Sequence, residues 1–198
     1  HEAHVWCNKT WSGGERPKET PPVPSNLHWD LWLGPAPERP YHSTYLPANW
    51  RRWWDFGGGT LGDMGCHYMD LPFWALELRH PKTIAAEGPP VHPETTPAWI
   101  VVTYEFPARE NLKPAKLVWY EGKKVVDGKV IRNLPHPDLM KGHTPVDSGL
   151  LLIGDKGTIY SPNDYGASFT VLERKQFEDF APPPRTIPRL GKEMKTDE

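Results

Sequence analysis

The chain opens with a period-two alternation that places Ala3, Val5 and Cys7 on one side and His4 and Trp6 on the other, which predicts a strand within Glu2 to Trp11. From Ser12 to Pro47 the pattern is broken by recurring prolines, each of which fixes φ and removes a backbone donor, so a long ordered excursion is expected over 12–57. A short helical turn around Trp29 to Leu33 is its one regular element. Leu61 to Leu78 is the clearest helical stretch, and Pro72 predicts a break into one helix over Gly62 to Asp70 and a second over Pro72 to Leu78.

Beyond the helices the pattern changes to β-branched and aromatic runs: Trp99 to Phe106, Ala115 to Glu121, Gly149 to Ile153, Gly157 to Tyr160 and Phe169 to Arg174. Asp155-Lys156-Gly157 between two of them is a hairpin signal. This order predicts an α+β fold, an open, mainly antiparallel β-sheet with helices on one face, formed by a single domain over 1–180. Residues 181–198, proline-rich and charged, are expected to be an exposed or partner-bound tail.

Composition narrows the function classes. The 198 residues carry 23 basic and 25 acidic side chains, a formal charge of -2 that gives no long-range attraction to nucleic acid or anionic membrane. No apolar run approaches the roughly 18 residues a membrane span needs. The 24 Pro and 17 Gly alone would suggest disorder, but 10 Trp, 7 Tyr and 6 Phe supply the aromatic area of a folded core. Cys7 and Cys66 are too few for a disulfide framework, and the segment starts at His1 with no cationic and apolar leader, which leaves the compartment open.

Gly57-Gly58-Gly59-Thr60-Leu61-Gly62 satisfies the spacing of a dinucleotide-binding turn, yet the feeder Trp50 to Phe56 is not a buried apolar strand and no second strand-helix-strand unit follows. These glycines are better read as points of close backbone approach. On the next helix Asp63, His67 and Asp70 stand at i, i+4 and i+7, two carboxylates and an imidazole on one face. A carboxylate one turn from a histidine can orient it as a general base, and the competing reading is a cap and a hydrogen-bonded core histidine. The same face could hold a metal with His136 or His143 as further ligands, although no close-spaced ligand pair accompanies it.

Five of the ten Trp fall between Trp29 and Trp54, beside Arg39, Arg51 and Arg52. Trp29, Trp32, Trp53 and Trp54 with Arg51, Arg52 and Asp70 could build a carbohydrate pocket, rings against C–H faces and guanidinium groups on hydroxyls. The alternative is that most of these rings pack the loop onto the sheet.

Three blocks in order, Pro24 to Pro37, Trp50 to Gly57 and Gly62 to Asp70, resemble the C-terminal domain of the Gfo/Idh/MocA oxidoreductases, over a span from Glu2 to about Pro188. The resemblance implies an N-terminal Rossmann domain for NAD(P), a sugar or cyclitol substrate, and a homo-oligomer formed through the open sheet. In the family's Asp-x-x-x-His pattern the matching residues are Asp63 and His67: His67 would take the hydroxyl proton and Asp63 would orient it. The family's cofactor domain, with the lysine of its Glu-Lys-Pro motif, is not within these residues, and neither are the closing helix and strand expected past Arg185 to Leu190. The chain is therefore expected to be either part of a dehydrogenase or a pared-down domain. On the residues alone two other classes stay open: a carbohydrate-active hydrolase or lyase using the Asp63, His67 and Asp70 face, and a sheet-mediated assembly module.

Overall fold

A computed structural model of the chain describes residues 1–163, 165–181, 184 and 186. The greater part of the expected 181–198 tail, and the point where the family's closing elements were expected, lie outside the described residues.

The first strand is the centre of the sheet. β1 (Glu2–Cys7) runs parallel to β4 (Ala115–Val126) on one side and antiparallel to β6 (Gly149–Ile153) on the other. β2 (Thr83–Glu87) and β3 (Trp99–Phe106) extend the β4 side, while β7 (Thr158–Ser161) and β8 (Thr170–Val171) extend the β6 side, giving the order β2-β3-β4-β1-β6-β7-β8. β5 (Lys129–Arg132) folds back on the end of β4 as a hairpin arm. The β1–β4 pair is the parallel one among these pairings, so the sheet is mixed but mainly antiparallel, as the strand signals predict. β2 and β5 escaped the hydrophobic pattern because β2 is exposed along its whole length and β5 nearly so.

Two strands are shorter than the sequence pattern predicts. β1 ends at Cys7 rather than near Trp11, and β8 comprises Thr170–Val171.

The alternation in β1 sorts the two faces. Ala3, Val5 and Cys7 join Leu117, Trp119, Leu150 and Leu152 in the main core, while Trp6 joins Leu151, Tyr160 and Met140 on the opposite face. Trp6 lies so close over Gly149 that a Cβ there would stand 3.0 Å from the ring, so a glycine is required beneath the indole. The opposite face also carries a polar chain: Tyr120 Oη meets His4 Nδ1 at 2.9 Å, His4 Nε2 meets Glu2 Oε2 at 3.0 Å, and Glu2 Oε1 meets Lys116 Nζ at 2.9 Å. Burial lowers the His4 pKa and pushes that of Tyr120 up to about 12. A neutral His4 donating to Glu2 and accepting from the Tyr120 hydroxyl satisfies every partner.

The main core is roofed by α2 (Gly59–Ala75), preceded by the short α1 (Trp29–Leu33). α2 is one continuous helix, which corrects the break expected at Pro72. Met64, Tyr68 and Pro72, spaced at i, i+4 and i+8, are all buried against the sheet, and this packing outweighs the one backbone bond Pro72 forgoes. Gly58 at the N-cap offers no side chain. The cap comes instead from β4, where the Glu121 carboxylate accepts the Leu61 backbone N–H and, at 2.8 Å, the Trp119 indole N–H.

The excursion over 12–57 has a small core of its own, built around one cation. The Arg39 guanidinium, its side chain 2% exposed, pairs with Asp55 and lies 4.9 Å from the Phe56 ring centre and 5.5 Å from that of Tyr45. Trp29 stacks on Trp32 at 4.8 Å, meets Tyr41 edge-on at 5.3 Å and donates its indole N–H to the Arg39 carbonyl. The loop is stitched to the strand-side chain by the Trp54 amide on the Glu94 carbonyl and the Thr96 amide on the Arg52 carbonyl.

Two stability predictions follow from these packings. Arg39→Ala removes the centre of the aromatic cluster and is expected to cost about 3 kcal/mol in urea unfolding, with a red shift of tryptophan emission. Burial raises the Glu121 pKa from 4.5 to about 7, the Trp119 and Leu61 donors partly opposing it. The folded chain therefore binds more protons than the unfolded one between those values, and Glu121 lowers stability as pH rises through that window, by an amount on the order of 3 kcal/mol, with no further loss above it. Glu121→Gln keeps both donors paired, so the difference in urea midpoint between wild type and variant is expected to move in the variant's favour from pH 5 to pH 8; taking that difference cancels the opposite trend from His4.

Candidate functional site

α2 buries Met64, Gly65, Tyr68 and Pro72 and turns Cys66, His67 and Asp70 to solvent, with Asp63 half-buried between the two sides. The spacing thus does what the sequence predicts: Asp63, His67 and Asp70 share the outward part of the helix. The expected Asp63 to His67 hydrogen bond is not formed among the described residues. Asp63 Oδ1 instead accepts from Arg51 Nε at 2.6 Å. Arg51 is held in place by two indoles, its guanidinium carbon 4.5 Å from the ring centre of Trp11 and 4.8 Å from that of Trp50. The Arg51 guanidinium thus lies against the Asp63 carboxylate one helical turn from His67.

The His67 ring meets Tyr165 edge-on, centroids 5.4 Å apart. Tyr165 belongs to a tight loop organised by Asn163, whose Oδ1 accepts the amides of Tyr165 at 3.1 Å and Ala167 at 2.9 Å. The same Tyr165 lines a cleft of about 500 Å³ with Asn8, Lys9, Ser148 and Asn163. The floor of that cleft is the carboxyl end of β1, where the Asn8 amide donates to Ser148 Oγ at 3.1 Å. Amide, ammonium, hydroxyl and phenol groups beside an exposed imidazole suit a polyhydroxylated ligand.

The residues expected to form a carbohydrate pocket divide. Trp53 is 1% exposed, packed against Tyr45, and Trp29 is clasped in the Arg39 cluster, so neither offers a free ring face; this corrects their assignment as ligand contacts. Arg51 touches Asp63 rather than open solvent, and Arg52 reaches Asn49 Oδ1 at 3.4 Å. Trp54 is 46% exposed and donates to the His92 carbonyl. Trp32, with Trp50, Asp55 and Phe56, lines a second cleft of about 340 Å³. Asp70 remains exposed one turn beyond His67.

The glycine run does not fit a dinucleotide. A Cβ on Gly57 would stand 2.7 Å from the Arg51 backbone, and one on Gly59, at φ +68°, would stand 2.6 Å from Thr96 Oγ1, so the glycines let neighbouring chain segments cross. A 3-10 turn over Asn49–Arg52 leads into the run in place of a buried strand, and the Glu121 carboxylate already occupies the start of α2, where a pyrophosphate would have to sit. The tentative metal set also fails to assemble. Among the described residues no three His, Cys, Asp or Glu side chains come together, and His136 pairs with Asp138 of its own turn at 3.4 Å. His143 and His67 therefore do not join Asp63 in a common site.

Sequence reasoning missed Asn8, Lys9, Ser148, Asn163 and Tyr165. Their signal was weak, since they lie in connections beyond or before the strands and only the sheet order brings them together. Among the described residues no helix is long and apolar enough to cross a membrane.

No curated protein matches the chain at a level that marks a relative. The family described as "Oxidoreductase family, C-terminal alpha/beta domain" (GFO_IDH_MocA_C2) matches residues 2–112, more than half of the 198 residues, and that span holds β1, the aromatic loop, α2, β2 and β3. With the central strand, the roofing helix and the mainly antiparallel sheet all in place, the chain belongs to the Gfo/Idh/MocA oxidoreductase family as a C-terminal domain.

Proposed function

We propose that this domain binds a sugar or cyclitol and removes the proton from the hydroxyl that is oxidised. The observation that carries the reading is the exposed His67 ring set edge-on against Tyr165, a residue that lines the first cleft. A neutral imidazole there can accept the hydroxyl proton as the carbinol carbon gives up hydride and becomes a carbonyl. Asp63, paired with Arg51 and one helical turn away, would act on His67 through space rather than through a direct bond. Asn8 and Ser148, which line the cleft, would offer an amide and a hydroxyl to the hydroxyls of the sugar. The hydride acceptor, NAD(P) by family, would have to be held by residues other than the described ones, because the glycine run that resembles a dinucleotide site is filled by the protein's own groups.

The partner reading is likewise a proposal. The hairpin arm of β4 and β5 exposes Val125, Val130 and Ile131, and β2 leaves an uncovered edge, so association of subunits through the sheet is supported by exposed apolar positions and an unpaired strand.

In the protein joined to its cofactor domain, His67→Ala is expected to lower NAD(P)-linked oxidation of sugars and cyclitols by about 10²- to 10⁴-fold, the usual contribution of a positioned general base. Cys66→Ser, its exposed neighbour on the helix, is expected to leave the rate unchanged. Full activity in the His67 variant, with the folded fraction confirmed by circular dichroism, refutes the proton-transfer role.

A further inference from the structure

Folding usually buries tryptophan, yet Trp74, one residue before the end of α2, is 77% exposed, more than any other indole of the chain. It joins neither core cluster, since the helix packs on the sheet through Met64, Tyr68 and Pro72. Its apolar area is left to water, so the fold gains little from an indole at this position.

The helix brings that indole into line with His67. Trp74 follows His67 by two turns of about 3.6 residues, so the two point within about 20° of one direction and stand roughly 10 Å apart along the axis. Side chains on a helix lean toward its N-terminus, which carries the indole back over the turn that holds Asp70, toward His67. Asp70, exposed between them, offers carboxylate oxygens as acceptors. The other flank of His67 is bounded by Tyr165, edge-on at 5.4 Å, and by Gly166, where a Cβ would stand 3.0 Å from Leu71 Cδ2. The flank of the imidazole that faces Asp70 and Trp74 is the open one.

We propose that Trp74 is a substrate-binding residue: one sugar ring rests its C–H face on the indole, donates hydroxyl hydrogen bonds to Asp70 and presents to His67 the hydroxyl that is oxidised. The backward lean of the indole shortens the axial interval of roughly 10 Å, and a single six-membered ring with its hydroxyls fills the remainder. An indole face binds by contact with a continuous row of C–H groups, which a pyranose or cyclitol presents and an open-chain polyol does not. The inference rests on the proton-transfer reading of His67 and narrows its substrate to cyclic compounds.

In the protein joined to its cofactor domain, NMR of the Trp74 indole, assigned from Trp74→Phe, and of the His67 ring, assigned from His67→Ala, separates the two claims. The probes are glucose, galactose and myo-inositol against open-chain glucitol. A ring compound is expected to move the Trp74 and His67 signals along one saturation curve, and glucitol to leave Trp74 unmoved. For the ring compound that is oxidised, Trp74→Ala is expected to raise KM about five- to tenfold with kcat within about twofold of wild type, and Trp74→Phe to recover most of the loss. Movement of His67 with Trp74 silent, for every ring compound, overturns the role of Trp74 and leaves the proton-transfer reading standing. A Trp74→Ala variant that loses kcat and melting temperature at unchanged KM assigns the indole to packing on the cofactor domain and also overturns the inference. Movement of Trp74 alone overturns the shared ring, an equal response to glucitol overturns the restriction to cyclic compounds, and silence at both positions overturns both readings.

Discussion

The placement of α2 depends on a carboxylate buried where the helix begins. Gly58 cannot cap the helix, so the Leu61 amide would be an unsatisfied donor under the roof of the main core, a cost of about 1–3 kcal/mol. Glu121, reaching from β4, removes that cost and adds a negative charge at the positive end of the helix dipole. The compensation is incomplete, because burial still holds its pKa near 7. What the fold gains is a fixed angular setting. With Leu61 tied to β4 and Met64, Tyr68 and Pro72 packed on the sheet, Asp63 and His67 have one direction in which to point, and that direction is outward beside Tyr165.

The aromatic excursion answers a different constraint. A stretch with this many prolines has few backbone bonds with which to hold itself, so its order must come from side chains. Arg39 supplies the centre: a planar, weakly hydrated cation that tolerates burial against ring faces and pairs with Asp55. Rings packed around it on one side leave Trp32 and Trp50 with surface toward a cleft on the other. Packing within the loop and surface toward a cleft are therefore not rival descriptions of it. The first cluster makes the second surface rigid.

How much of this could be read from the sequence follows from which interactions are local. The β1 alternation, the turn at Asp155-Lys156-Gly157 and the shared face of Asp63, His67 and Asp70 depend on periods of two to four residues, and all three are present. Pro72 misled because a local rule assigned the break, whereas the burial of Tyr68 and Pro72 against distant strands decided the outcome. Trp53 and Trp29 were indistinguishable from Trp32 by composition; only the position of Arg39, a single charge among rings, separates inner faces from outer ones. Glu121 was invisible as a cap, since it lies 60 residues after Leu61 in the chain. Asn8 and Tyr165 meet at one cleft only because β1 is central and neighbours β6, an order no local pattern encodes.

Arg51 is the side chain through which the aromatic loop meets α2. Its guanidinium has ring faces of Trp11 and Trp50 against it and a carboxylate at its edge, so the charge that steadies Asp63 is itself positioned by the aromatic loop. The same side chain sets the direction of Asp63, whose Oδ1 it meets at 2.6 Å. Asp63 stands one helical turn before His67, so the packing of Trp11 and Trp50 on Arg51 fixes what lies beside the outward face of α2. A single guanidinium thereby joins the long loop to α2, which gives the loop a physical reason to lie beside this helix rather than elsewhere on the sheet.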